Sequence, residues 1–112
     1  MMLHEVISDY INYLESVRGL SAHSIRAYRT DLARFEGFIT DGASDWRQLK
    51  PADVRAFVGG LHRENLSGSS INRALSAVKG LYHYAVQFEI AGADPFEHIK
   101  SRSSGRNLPQ VL

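Results

Sequence analysis

Leu3, Val6, Ile7, Tyr10, Ile11, Leu14 and Val17 recur every three or four residues. That spacing lines them along one side of a 3.6-residue helix and predicts an amphipathic helix over about residues 2–18. Gly19 closes it, since glycine enters the left-handed turn after a helix without steric penalty, and Arg18 in the last turn complements the helix dipole. Ser21 then offers an N-cap for a second helix, whose Ile25, Tyr28, Leu32, Phe35 and Ile39 share a face as far as about Thr40. Asp41 to Trp46 (DGASDW) has the composition of a loop, with the large apolar area of Trp46 pinning it to the core.

Pro51 stands where a first helical residue belongs and Asp53 falls in the first turn, so Val54, Phe57, Val58 and Leu61 define a third helix over roughly 51–64. Gly59 and Gly60 inside it cost about 1 kcal/mol each relative to alanine, which points to a close helix crossing there. After the turn ENLSGS, Ser67 or Ser69 caps a fourth helix of about 69–89, with Ile71, Leu75, Val78, Tyr82 and Ala85 as its apolar stripe. Gly92 and Pro95 break the chain, and Phe96 to Ile99 form one short final turn. No useful period-two alternation occurs. The expected fold is all-α: a four-helix bundle of two crossed antiparallel helical hairpins over residues 1–99, followed by a linker, 100–112, rich in Ser, Gly and Arg.

The polar sides of two helices change the picture from fold to function. Helix four carries Asn72, Arg73, Ser76, Lys79 and His83 opposite its apolar stripe, with no acid among them. Helix two carries His23, Arg26, Thr30 and Arg34 at the same spacing, with Arg29 beside them and Asp31 as the one nearby acid. Solvated helix faces ordinarily interleave both signs, because opposite charges three or four residues apart attract. Net charge is only +1, but the sum hides a segregation. Residues 65–88 carry Arg73 and Lys79 and no acid, residues 98–112 carry Lys100, Arg102 and Arg106 and no acid, and Glu89, Asp94 and Glu97 cluster between. A duplex major groove admits one helix, and Ser69, Ser76, Ala77 and Gly80 are small enough to let a backbone approach. Nucleic-acid binding is the leading physical reading.

Composition narrows the alternatives. A chain of 112 residues, 44% apolar and 22% charged, is one globular domain's worth. No apolar run reaches the ~18 residues needed to span a bilayer and no signal peptide opens the chain, so a cytoplasmic protein without membrane contact is expected. Cysteine is absent, which removes disulfides, thiolate nucleophiles and cysteine-held zinc. Histidines 4, 23, 62, 83 and 98 include no i, i+4 pair, and neither GxxxxGK nor GxGxxG occurs, so neither a metal nor a cofactor is expected.

The same residues carry a resemblance. LSAHSIRAYRTDLARF (20–35) and LSGSSINRALSAVKGLYHYAVQFEIAGADP (66–95) resemble the N-terminal core-binding domain of tyrosine recombinases, the phage integrase family, most nearly of the XerC and XerD type. The matching features are Leu20-Ser21, Ser24, Tyr28 and Asp31-Leu32, then Ser70, Arg73, Leu75-Ser76-Ala77 and Lys79. Asp94-Pro95 resembles the family's Asn-Pro, and Leu108-Pro109 with Leu112 resembles the linker before its catalytic domain. Ser24 and Ser70 stand where threonine is commoner, and Lys79 where arginine is. The resemblance implies a SAM-like four-helix domain that embraces one side of a double-stranded recombination half-site, with helices two and four toward DNA. A C-terminal catalytic domain, and other recombinase protomers on the DNA, complete the machinery of DNA integration or chromosome partition. His23-Ser24-Ile25-Arg26 matches the family's catalytic HxxR pattern by letters alone, since it opens helix two, and no tyrosine here is placed as the nucleophile, so this chain by itself is not expected to be an enzyme.

The candidate DNA contacts are therefore Arg26, Thr30 and Arg34 on helix two and Asn72, Arg73, Ser76 and Lys79 on helix four, with Ser24 and Ser70 donating to phosphates from helix N-termini. Two other readings stay open: a helical protein-interaction module whose basic faces meet an acidic partner, and a helix-turn-helix-like regulator.

Overall fold

The computed structural model describes residues 2–42 and 45–99; the expected linker, 100–112, lies outside the described residues. Four helices follow one another: α1 (Leu3–Ser16), α2 (Ala22–Asp41), α3 (Pro51–Arg63) and α4 (Gly68–Gln87), with a single 3₁₀ turn, Trp46–Gln48, between α2 and α3. No strand occurs among the described residues. α1 packs on α2 and α3 on α4, and the two pairs meet chiefly along α2 and α4.

Each helix begins where its sequence supplies a partner for the orphan N–H groups of its first turn. Ser21 accepts from the Ser24 N–H at 3.2 Å, and Ser67, rather than Ser69, caps α4 by accepting from the Ser70 N–H at 3.1 Å. Before α1 and α3 the order is reversed: a first-turn acid reaches back, Glu5 to the Met2 N–H and Asp53 to the Lys50 N–H. α4 ends differently from the glycine stop expected of a helix. The Glu89 N–H donates to the Val86 carbonyl at 3.1 Å and the Ile90 N–H to the Ala85 carbonyl at 2.7 Å, the paired bonds of a Schellman turn. That turn forces Glu89 to a φ of 61°, a left-handed conformation that disfavours side chains with a Cβ.

α4 is the central element and buries Ile71, Ala74, Leu75, Ala77, Val78, Leu81, Tyr82 and Ala85. Around it Phe35 of α2, Phe57 of α3, Tyr82 of α4 and Phe96 of the C-terminal segment stack as tilted or edge-on rings with centroids 5.2–6.1 Å apart. Trp46 joins this cluster by its ring contact with Tyr82, whose hydroxyl donates to the Trp46 carbonyl. Trp46 thus anchors the α2–α3 connection, as its apolar area leads one to expect.

One expectation from the pattern needs correction. Gly59 and Gly60 mark no helix crossing, since a Cβ at either would meet only the mobile end of Arg63, at 3.4 and 3.9 Å. The close approach is at Gly80 instead, where a Cβ would lie 2.1 Å from the Tyr10 hydroxyl, so glycine there is what lets α1 seat against α4. The final turn forms where expected, the Ile99 N–H donating to the Phe96 carbonyl at 3.0 Å, and it belongs to the core. Asp94 accepts from the Phe96 N–H at 2.8 Å, which folds the chain back and drives Phe96 to complete burial among the other rings.

Phe96→Ala is therefore expected to lower unfolding stability by about 3–5 kcal/mol, as for a large aromatic removed from a closed core. Urea denaturation followed by far-UV circular dichroism measures it, and a loss below about 1 kcal/mol would show that the segment after α4 is not part of the core.

Candidate nucleic-acid interface

The exposed residues of α2 and α4 fall into two narrow strips. On α4 they include Ser69, Arg73, Ser76, His83 and Gln87, with Lys79 and Gly80 half-buried between them; on α2 they include His23, Arg26, Arg29, Thr30 and Ala33, with Gly37, Thr40 and the acid Asp41 at its far end. Helical periodicity aligns each strip along its axis. The two strips meet at one carboxylate. Asp31 is fully buried on the α4 side of α2, and the Arg73 guanidinium grips it in a fork, Nε to Oδ2 at 2.7 Å and Nη2 to Oδ1 at 3.0 Å. This hydrogen bond pushes the Arg73 guanidinium further up from its already high ordinary range.

Asp31 also lies 3.6 Å from Arg34 Nη1, and Arg34 Nε donates to Glu64 Oε1 at 3.2 Å. The expectation of an acid-free basic face is corrected here. α4 brings no acid to its strip, but α2 brings Asp31 and the end of α3 brings Glu64, so the charges of Arg34 and Arg73 are balanced by two carboxylates. Sequence order concealed this, because the partners are 42 and 30 residues apart. Arg73 keeps Nη1 for an outside acceptor, since its pair with Asp31 uses Nε and Nη2.

The other candidate side chains sort by what already holds them. Arg26 is exposed and its guanidinium has no ion pair or hydrogen bond among the described residues, while Thr30 Oγ1 donates back to the Arg26 carbonyl at 3.2 Å. Ser76 is exposed at the middle of the α4 strip and its hydroxyl makes no side-chain hydrogen bond among the described residues, whereas Asn72 is half-buried beside Arg73. Lys79 points along the protein rather than away from it: its Nζ donates to the Ile99 carbonyl at 2.6 Å, fixing the C-terminal segment to α4. Ala77, expected as a small surface residue, is fully buried, and Gly80 is occupied by Tyr10.

Ser24 and Ser70 occupy equivalent places, each the third residue of its helix. Each hydroxyl accepts from the capping serine, Ser21 to Ser24 at 3.2 Å and Ser67 to Ser70 at 3.0 Å. An accepting hydroxyl still has its own proton to donate. The starts of α2 and α4 therefore present the same device, a half-buried donor hydroxyl beside the positive end of a helix dipole. Among the described residues no group of three or more His, Cys, Asp or Glu side chains comes together.

Comparison with known proteins adds the decisive observation. The model of the phage integrase N-terminal SAM-like domain matches residues 7–88, from the first turns of α1 to the end of α4. The chain belongs to this family. Among its relatives is the tyrosine recombinase XerC of Pseudomonas aeruginosa strain PAO1, 36% identical over 107 residues that cover 95% of this chain and 35% of the relative. XerC of Treponema denticola is 29% identical over 110 residues, 98% of this chain and 36% of that protein. XerC of Lacticaseibacillus casei strain BL23 is 29% identical over 108 residues. The chain thus spans about a third of the length of the curated relatives it matches. No solved structure matches it at a significant level.

Within this SAM-like domain, Asp31 and Arg73, two of the residues that carry the resemblance, are partners of each other.

Removing the shared carboxylate should loosen α2 from α4. Asp31→Asn is expected to lower stability by about 1–3 kcal/mol, the usual penalty for a buried charged partner left badly satisfied. In a double-mutant cycle with Arg73→Gln the coupling should exceed about 1 kcal/mol, and additive losses would show that the pair is incidental.

Proposed function

We propose that this domain binds double-stranded DNA as the amino-terminal part of a XerC-like tyrosine recombinase, embracing one side of a recombination half-site. The observation that carries the reading is the pair of exposed α2 and α4 strips joined at Asp31–Arg73, with Arg26, Arg29 and Ser76 free to meet phosphates. Two phosphate-seeking features accompany the cations: the Ser24 and Ser70 hydroxyls at the starts of the same two helices. Arg26, Thr30, Ser76, Ser24 and Ser70 are the proposed primary contacts, and Arg73 contributes through Nη1. Asn72, Arg34 and Lys79 lie at the margin, because the last two already serve internal partners.

In this reading the domain holds and orients DNA, and strand cleavage belongs to a catalytic domain downstream in the parent protein, which acts with other recombinase protomers on the same DNA. The domain by itself binds and does not cut. Its place is the cytoplasm, at the nucleoid; among the described residues no helix is long and apolar enough to cross a membrane. The competing helix-turn-helix arrangement of α2 and α3 loses support, because Gly42 to Lys50 separate them where that motif needs a turn of about three or four residues. Binding to duplex is expected to be weak, roughly 0.1 mM to 1 μM, and to weaken steeply with salt as phosphate counterions are released.

Ser76→Glu places an anion at the centre of the α4 strip without removing an internal contact, and should weaken duplex binding at least about tenfold in fluorescence anisotropy. Arg26→Gln should flatten the slope of log affinity against log salt by about 0.9, one phosphate's worth. Unchanged affinity in both variants, with native melting temperatures, would mean that these strips do not face DNA.

A further inference from the structure

The α4 strip does not stop at Ser76. One and two turns on, Lys79, Gly80 and His83 line a hollow of about 310 Å³ together with Tyr10 and Tyr13 of α1 and Arg18 just after it. Tyr84 lines its floor, with ring centroids 5.5 Å from Tyr10 and 5.2 Å from Tyr13. Tyr10 is only 5% exposed, yet its hydroxyl has no hydrogen-bond partner among the described residues and opens beside Gly80 into this hollow. A buried tyrosine ordinarily satisfies its hydroxyl, as Tyr82 does on the Trp46 carbonyl. Burial pushes the Tyr10 phenol up to about 12, so at neutral pH it is a donor and not an anion.

The charges around the hollow favour an acceptor of negative charge. Arg18 lies close enough to the Tyr10 phenol to oppose that upward shift, and its guanidinium has no ion pair among the described residues. Lys79 stands at the rim with Nζ on the Ile99 carbonyl, and His83 is exposed beside it. Asp94, the one acid of the lining, accepts from the Phe96 N–H; burial pushes its carboxyl up, against the opposing pull of Lys79 and His83, and Asp9 acts on Tyr84 from α1.

We propose that this hollow is a phosphate-binding subsite, with the Tyr10 hydroxyl and the Arg18 guanidinium as donors to the phosphate oxygens. Resting on the DNA-binding reading above, the subsite extends the α4 contact along the backbone beyond Ser76 and brings α1, which the sequence pattern assigned wholly to the core, into the interface. The bound group is a backbone phosphodiester; a free phosphate offers the same oxygens, and the test separates the two.

Tyr10→Phe removes one oxygen from a group without an internal partner and keeps the ring packing, and Arg18→Gln removes one charge; Arg55→Gln, on exposed α3, is the control. In anisotropy with a duplex, Tyr10→Phe and Arg18→Gln should each weaken binding about 3- to 10-fold. Arg18→Gln should also lower the salt slope by about 0.9, and Arg55→Gln should change neither. In parallel, inorganic phosphate is titrated into the ¹⁵N-labelled 112-residue chain while the Gly80 and His83 amides are followed. Weakened duplex binding, with or without amide shifts, supports the subsite as a DNA contact. Saturable amide shifts lost in Tyr10→Phe, with duplex affinity untouched, support the hollow as a free-phosphate site and exclude it from the DNA surface. If the native chain binds no duplex but shows those shifts, the DNA-binding reading fails and the hollow stands. Native-like duplex affinity and salt slope in both variants, together with silent amides, overturn the proposal while leaving the α2–α4 reading intact; no duplex binding and silent amides overturn both.

Discussion

The buried carboxylate of Asp31 is the constraint around which this domain is arranged. A fully desolvated anion is tolerated only where strong donors reach it, and here two arginines from different parts of the chain do so, Arg73 from α4 in a bidentate fork and Arg34 from one turn further along α2. The fork fixes the register of α2 against α4, because a shift of either helix by one residue would strand the charge. It also sets the electrostatics of the outer surface. Arg73 remains 42% exposed and so looks outward while bound inward, which places a pre-oriented Nη1 where the two exposed strips converge. A side chain held in that way loses less conformational freedom on meeting a phosphate than a free one.

Much of the architecture was legible in the sequence. Four helices follow from apolar spacing, and their starts follow from Ser21, Pro51 and Ser67, because capping is a local matter settled within three or four residues. What escaped was long-range. Phe96 looks like part of a trailing turn until the chain folds back through Asp94 and closes the aromatic cluster. Gly59-Gly60 looks like a crossing, whereas the crossing is at Gly80, because a glycine pair says nothing about which helix lies opposite. The strips themselves were correctly drawn as patterns, but their charge was misjudged, since Asp31 and Glu64 come to Arg73 and Arg34 through the fold and not through proximity in the chain.

The placement of these residues bears on function. The residues that mark the family resemblance divide into two kinds once they are placed. Asp31, Arg73 and Lys79 hold the domain together, Lys79 by tying the Ile99 carbonyl to α4. Ser24, Ser70 and Ser76 hold little of it and face outward or half outward. The proposed DNA surface depends less on a dense positive field, which a net charge of +1 does not supply, than on a few donors at fixed positions along two helices clamped together.

The claim that α2 and α4 present one continuous surface to duplex DNA is tested most directly by titrating an unlabelled duplex into ¹⁵N-labelled protein and mapping the amide shifts. The account predicts shifts at both Ser24–Thr30 of α2 and Ser70–His83 of α4, reaching the α1 end only around Tyr10 to Arg18, with the exposed residues of α3 unmoved. Shifts centred on α3, or on only one of the two strips, would contradict it.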